Sequence, residues 1–156
     1  MLKKLIFPLF FILFFSNCGY TPVYLNSSEA DFKILSLKIN GSNEVNSIVE
    51  DKLEKYLIKN SKKKYDLEIF TNYKKVSVAK DTTGNTTNFK LIVDLNLNYT
   101  ETSVEQNYKP KNIFFSEEII IKRNQNNYEQ NTYERIVIKN MSEVLVEKII
   151  LYLSRN

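Results

Sequence analysis

The chain has no histidine, no tryptophan, one cysteine, three glycines and three prolines among its 156 residues. Without imidazole it lacks the one side chain that titrates near neutrality and the most common neutral metal ligand. Ser-His-Asp and Cys-His triads are excluded, and so are histidine-based zinc sites. A single cysteine also rules out an intrachain disulfide. Nothing points to a metal or a cofactor, and no convergent carboxylate pair stands out: Glu117 and Glu118 are adjacent and face opposite sides of a strand. A hydrolase would need a base that the chain does not supply. Asn, Lys and Ile are abundant while Ala, Gly and Pro are scarce, a compositional drift that also generates triplets such as Asn98-Tyr99-Thr100. The formal net charge is +4, two of it from Lys3 and Lys4, so the remaining chain is only mildly basic and gives no reason to expect nucleic acid.

What is present begins at the N-terminus. Lys3 and Lys4 precede a nearly unbroken apolar run, Leu5 to Phe15, and Ser16-Asn17-Cys18-Gly19 follows at once. A positive start, an apolar stretch and small residues at the exit describe a secretory signal peptide. The run is short of the ~20 residues that a membrane-spanning helix needs, and Pro8 interrupts it. A cysteine in this place is the one that bacterial lipoprotein processing acylates and leaves as the new N-terminus. Phe15 and Asn17 depart from the usual pattern around such a cysteine, whereas Ser16 and Gly19 fit it. The alternatives are an ordinary cleaved signal with a stray thiol, or an uncleaved anchor. The expected organisation is a signal peptide over 1–17, a lipid-anchored extended tether over 18–31 and one domain over 32–156.

Within that domain, Phe32 to Ile39 reads as a strand buried on much of both faces, stopped by Asn40-Gly41. Ser42 is placed to cap a helix carrying Val45, Ile48, Val49, Leu53, Tyr56 and Leu57, with Lys59 and Lys62 to Lys64 at its C-terminal end. Tyr65, Leu67, Ile69, Thr71 and Tyr73 alternate, slip at Lys74-Lys75 and resume at Val76 and Val78, which predicts a bulge at the lysine pair. After a turn around Gly84, Phe89 to Tyr99 alternates without a break, a strand with one core face and one wet face. A polar loop over 101–111 leads to a strand from Ile113 to Lys122. Asn131-Thr132-Tyr133-Glu134 then resembles a capping box opening a long helix to Leu153. The apolar surface of that helix is wider than a surface helix needs, which fits deep burial or a partner on its outer side. The predicted class is α+β: a four-stranded, mostly antiparallel sheet with two helices on one face, in the order β-α-β-β-β-α.

Cys18-Gly19-Tyr20-Thr21-Pro22-Val23-Tyr24 resembles the Cys-Gly-Phe-x-Pro-Leu-Tyr opening of the LPS-assembly lipoproteins, the LptE (RlpB) family, in its alphaproteobacterial form. The order of elements is similar to that family's as well. The family usually carries an arginine shortly after the turn glycine, where this chain has Asn88 or Lys90. The resemblance implies an outer-membrane lipoprotein on the periplasmic face, held by lipid on Cys18. It would plug and help assemble the LptD-type β-barrel that inserts lipopolysaccharide, and would catalyse no reaction. The barrel, lipopolysaccharide and the membrane are the partners so implied. Lys74, Lys75, Lys80 and Lys90 are the candidate contacts to lipopolysaccharide phosphates, the alternative being solvated lysines that discourage edge pairing. Another non-catalytic subunit of an envelope transport or secretion complex is the competing reading.

Overall fold

Leu91, Val93, Leu95 and Leu97 alternate with the partly exposed Ile92, Asp94 and Asn96 and are completely buried, which makes the third strand the spine of the core. The computed structural model describes residues 30–102 and 109–155. The signal peptide, Cys18, the heptad that follows it and the middle of the 101–111 loop lie outside those residues. The elements are β1 (Lys33–Gly41), α1 (Asn43–Leu53) with a 3-10 turn (Glu54–Tyr56), β2 (Lys64–Lys80), β3 (Thr86–Glu101), β4 (Lys111–Lys122) and α2 (Asn127–Arg155). The sheet order is β1-β2-β3-β4. β1 runs parallel to β2 across the α1 crossover, while β2–β3 and β3–β4 are antiparallel. The α+β class, the element order and the mostly antiparallel sheet are as the periodicity predicts.

Both helices lie over the same sheet face. α1 contributes Val45, Val49 and Leu53 to the core; α2 contributes Val137, Ile138, Met141, Leu145, Val146, Ile149, Ile150 and Leu153. The wide apolar surface of α2 is thus mostly buried, and Tyr128, Tyr133, Ile136 and Val144 are its large apolar residues that remain well exposed. At one end of the core, rings run in contact from Tyr56 through Phe32, Tyr65, Tyr99 and Tyr152 to Phe115. Two hydrogen bonds engage three of their hydroxyl groups: Tyr65 donates to the Leu153 carbonyl (3.2 Å), and Tyr99 pairs with Tyr152 (2.9 Å).

Four local expectations need correction. β1 is not buried on both faces, because the helices cover only one side of the sheet and Ser36, Lys38 and Asn40 on the other stay exposed. A register shift between Ile34 and Ser36 pushes Leu35 out, so that Ile34, Leu37 and Ile39 all reach the helix side despite their mixed spacing. The bulge expected at Lys74-Lys75 lies further along, between Ser77 and Lys80; Tyr73 to Ser77 pair with Val93 to Phe89 in unbroken register. Helix α1 ends at Leu53 and the following turn at Tyr56, so Lys62 to Lys64 do not close it. Lys63 instead donates to the Ser154 carbonyl at the C-terminal end of α2 (3.4 Å), where a cation meets the negative end of another helix. Finally, α2 opens one turn before the predicted box: the Asn126 side-chain oxygen accepts from the backbone N–H groups of Tyr128 and Glu129.

Ser42 does precede α1, but its hydroxyl makes no capping bond. Its backbone N–H donates to the Thr71 hydroxyl (2.9 Å), and Thr71 also meets the Asn46 side chain, so a buried threonine of β2 holds the start of the helix. Gly41 makes that approach possible. It has φ +121°, and a Cβ there would stand 1.9 Å from the Thr71 carbonyl oxygen.

Candidate functional site: the uncovered sheet face

Strand pleating sends alternate residues of β2, β3 and β4 away from the helices. Register then sets them in cross-strand rows: Glu68–Asn98–Asn112, Phe70–Asn96–Phe114, Asn72–Asp94–Ser116, Lys74–Ile92–Glu118 and Val76–Lys90–Ile120. The polar members hold one another. Asp94 accepts from Asn72 (3.1 Å) and from Ser116 (2.7 Å), Asn112 donates to both Asn96 and Asn98, and Lys90 reaches both Glu118 oxygens at 3.1 Å. Such cross-strand pairs pre-order a polar surface without covering it.

The face is less uniformly wet than Asn96, Asn98 and Thr100 suggest. Phe114 is 60% exposed and Ile120 58%, and Phe70, Val76 and Val78 also lie open. The signal for this was present in β4: Phe114-Phe115 and Ile119-Ile120-Ile121 are consecutive apolar residues, and a strand cannot send neighbours to one face. The surface is therefore polar and apolar in patches, a composition suited to contact with protein or lipid.

The four candidate lysines do not form one cluster. Lys74 and Lys90 share the uncovered face on adjacent rows, and Lys80 is exposed at the end of β2 opposite Thr86. Lys75 turns to the helix side, lies 4.2 Å over the Phe89 ring and forms an ion pair with Glu134. Glu134 is itself buried and also accepts from Gln130, so the residue expected to complete a capping box anchors α2 to β2 instead. Beside this group the Tyr73 hydroxyl is enclosed and meets no partner among the described residues. Burial, and then the carboxylates of Glu134 and Glu44, push its pKa up to about 12. Glu117 and Glu118 do face opposite ways: Glu117 pairs with Lys148 of α2, Glu118 with Lys90.

Two shallow hollows lie at the far end of the sheet, where Lys122 and Arg123 meet Asn85 to Asn88 on one side and Ile120 and Tyr133 on the other. Among the described residues no group of three acidic or sulfur side chains is placed to hold a metal ion. No helix among them is long and apolar enough to cross a membrane.

The geometry defines a two-layer α+β domain whose helices cover one sheet face, while no described element covers the other. No family model and no curated protein matches the chain. Among solved structures it is similar to rare lipoprotein B from Shewanella oneidensis, at 12% identity over 77% of this chain and 94% of that one, with a TM-score of 0.53. A minor lipoprotein from Acinetobacter baumannii is similar at 11% identity over 75% of this chain and 93% of that one, with a TM-score of 0.43. The chain has the fold of rare lipoprotein B, the LptE-type fold that its opening heptad led us to expect.

Proposed function

We infer that the chain is an envelope lipoprotein of LptE type, anchored by acylated Cys18 at the periplasmic face of the outer membrane. There it plugs the lipopolysaccharide translocon barrel, helps it assemble and supports insertion of lipopolysaccharide at the cell surface. The observation that carries this reading is the agreement of two independent features: the heptad from Cys18 to Tyr24, and the fold shared with rare lipoprotein B. The uncovered face supports it, because barrel lumens are polar and the ladder of Asn, Asp and Ser presents ordered polar groups with a few apolar anchors. Several acyl chains on one cysteine hold a protein stably at a membrane, where one chain does not. Of the four candidate lysines, Lys74 and Lys80 are exposed and best placed to meet phosphates, each as a point charge; Lys90 shares the uncovered face but is paired with Glu118, and Lys75 contributes through the ion pair that fixes α2.

Affinity capture of the full-length protein from its own outer membrane tests the reading. An outer-membrane β-barrel should co-purify. Depletion should lower the amount of assembled barrel and raise sensitivity to hydrophobic compounds. Capture of a different envelope complex, with the permeability barrier intact, would replace this assignment with the competing one.

A further inference from the structure

β1 is an edge strand, and no described strand pairs with its outer side. Its helix-side residues Leu37 and Ile39 are only partly buried, and with Leu57 they form the apolar part of a groove of about 590 Å³ between β1 and α1. The same groove is lined by Glu50 and Asp51 of α1 and by Glu54 of the 3-10 turn, all exposed and none paired with a cation among the described residues. Lys52, on the other side of the helix, is already engaged with Glu143 of α2 at 3.1 Å, so α1 is held with its acidic side turned outward. Leu35, two residues before Leu37, and Ile58, next to Leu57, add exposed apolar surface at 44% and 87%.

Natural edge strands are blunted by charge, bulges or cover. The bulge of β1 falls at Leu35, and from Ser36 to Gly41 the strand continues in regular register with β2. A strand laid on that stretch would send every second side chain toward α1. Each such side chain would pass Leu37 or Ile39 before reaching the carboxylates. Only Lys and Arg have both parts this path requires, an apolar stem and a cationic head. β4, the other edge, offers no such match: its helix-side Glu117 is paired with Lys148.

We propose that the outer edge of β1 is a docking site for an extended segment of a partner protein, added as a fifth strand, with Lys or Arg at its alternate, helix-side positions. Backbone hydrogen bonds to the β1 edge supply attachment, and the apolar floor beneath acidic side chains supplies selection. This inference concerns a different surface from the uncovered sheet face and stands or falls without the barrel reading.

The probe is a short labelled peptide alternating Thr and Arg, titrated by fluorescence anisotropy against the purified full-length chain. Three peptides of matched length serve as controls: alternating Thr and Glu, Thr and Arg interrupted by Pro, and Thr and Arg with every second backbone nitrogen methylated. Binding should be seen for the first peptide alone. The triple variant Glu50→Gln, Asp51→Asn, Glu54→Gln should bind it about tenfold more weakly, since three exposed ion pairs contribute modestly each, while melting like the parent. Equal binding of the Pro-interrupted or methylated peptide would show bulk charge attraction and overturn strand addition. Absence of binding by the alternating peptide would overturn the proposal as a whole. Concentration-dependent dimerisation abolished by the triple variant would make a second copy the occupant and overturn the basic-partner assignment.

Discussion

Along β3, Leu91, Val93, Leu95 and Leu97 are wholly buried beneath the helices, whereas Lys90, Ile92, Asp94, Asn96 and Asn98, which alternate with them, stay partly open. One backbone thus serves two surfaces held by different forces. The helix side gains from removal of apolar area from water, about 25 cal/mol per Å², and most of its polar groups are paired, as Tyr65, Tyr99 and Glu134 are, with the Tyr73 hydroxyl the exception among the described residues. The outer side gains little from burial. Its order comes from short cross-strand bonds such as Asp94 to Ser116 and Lys90 to Glu118, each of small net worth in water. Folding therefore depends on the first face, and the second is left free to vary with the needs of contact.

The largest expected effect comes from placing a charge on the buried side. Leu95→Asp should lower stability by at least about 4 kcal/mol, seen as loss of the cooperative thermal transition. Asn96→Asp, its neighbour on the outer side, should stay within about 0.5 kcal/mol of the parent; equal loss in both would break the two-face account. Gly41→Ala attacks the junction between β1 and α1. With φ +121° and no room beside the Thr71 carbonyl, it should cost about 2–3 kcal/mol by denaturant titration.

The partly buried Lys75–Glu134 ion pair gives a smaller effect and sharpens the comparison. Lys75→Ala leaves Glu134 without its cation in a largely enclosed place and should cost about 1–2 kcal/mol. Adding Glu134→Gln should restore part of that loss. On the outer side, Lys90→Ala removes a pair whose glutamate is well exposed and should change stability by less than about 0.5 kcal/mol. A double-mutant cycle on each pair measures the contrast.

The smallest effect is a pH response in the exposed β2–β3 turn. The Asp81 carboxyl lies below its ordinary value of 3.8, first because the Thr83 hydroxyl donates to it and next because the Asn85 backbone N–H does. A lowered folded-state pKa means that its contribution is complete above the unfolded value and is lost as pH falls through the folded one. The turn should therefore keep its bonds down to the ordinary carboxylate range and loosen only below it, read by NMR titration of the Asp81 carboxyl carbon.

Residue patterns made much of this legible. The unbroken alternation from Phe89 to Tyr99 identified β3 and its buried face, and the three- and four-residue spacing of Val45, Ile48, Val49 and Leu53 identified α1. The misplacements have a common origin, since each rested on a local pattern that a distant residue completes differently. Lys74-Lys75 looked like a slip in alternation because a lysine on the core side breaks an apolar count. Glu134, 59 positions away, is what makes Lys75 acceptable there. The lysine run over 62–64 resembled a helix end because cations favour such ends, and Lys63 does serve one, that of α2. Of the candidate site, the polar row through Asn96 and Asn98 was readable, while the apolar patches of Phe70, Phe114 and Ile120 depended on register.

The sequence alone determined the class of element at nearly every position, their order, and which residues of β3 turn inward, because periods of two and of three to four are local properties of a pleated strand and a helix. It also determined the exclusion of histidine chemistry and singled out Cys18. Only the tertiary structure decided that the parallel strand β1 lies at the edge, its outer side unpaired among the described residues, and that Lys74 and Lys75 serve opposite faces. It alone decided that Glu134 belongs to the core. Those outcomes follow from strand pairing and helix packing between segments far apart in the chain, whose partners a local window does not contain.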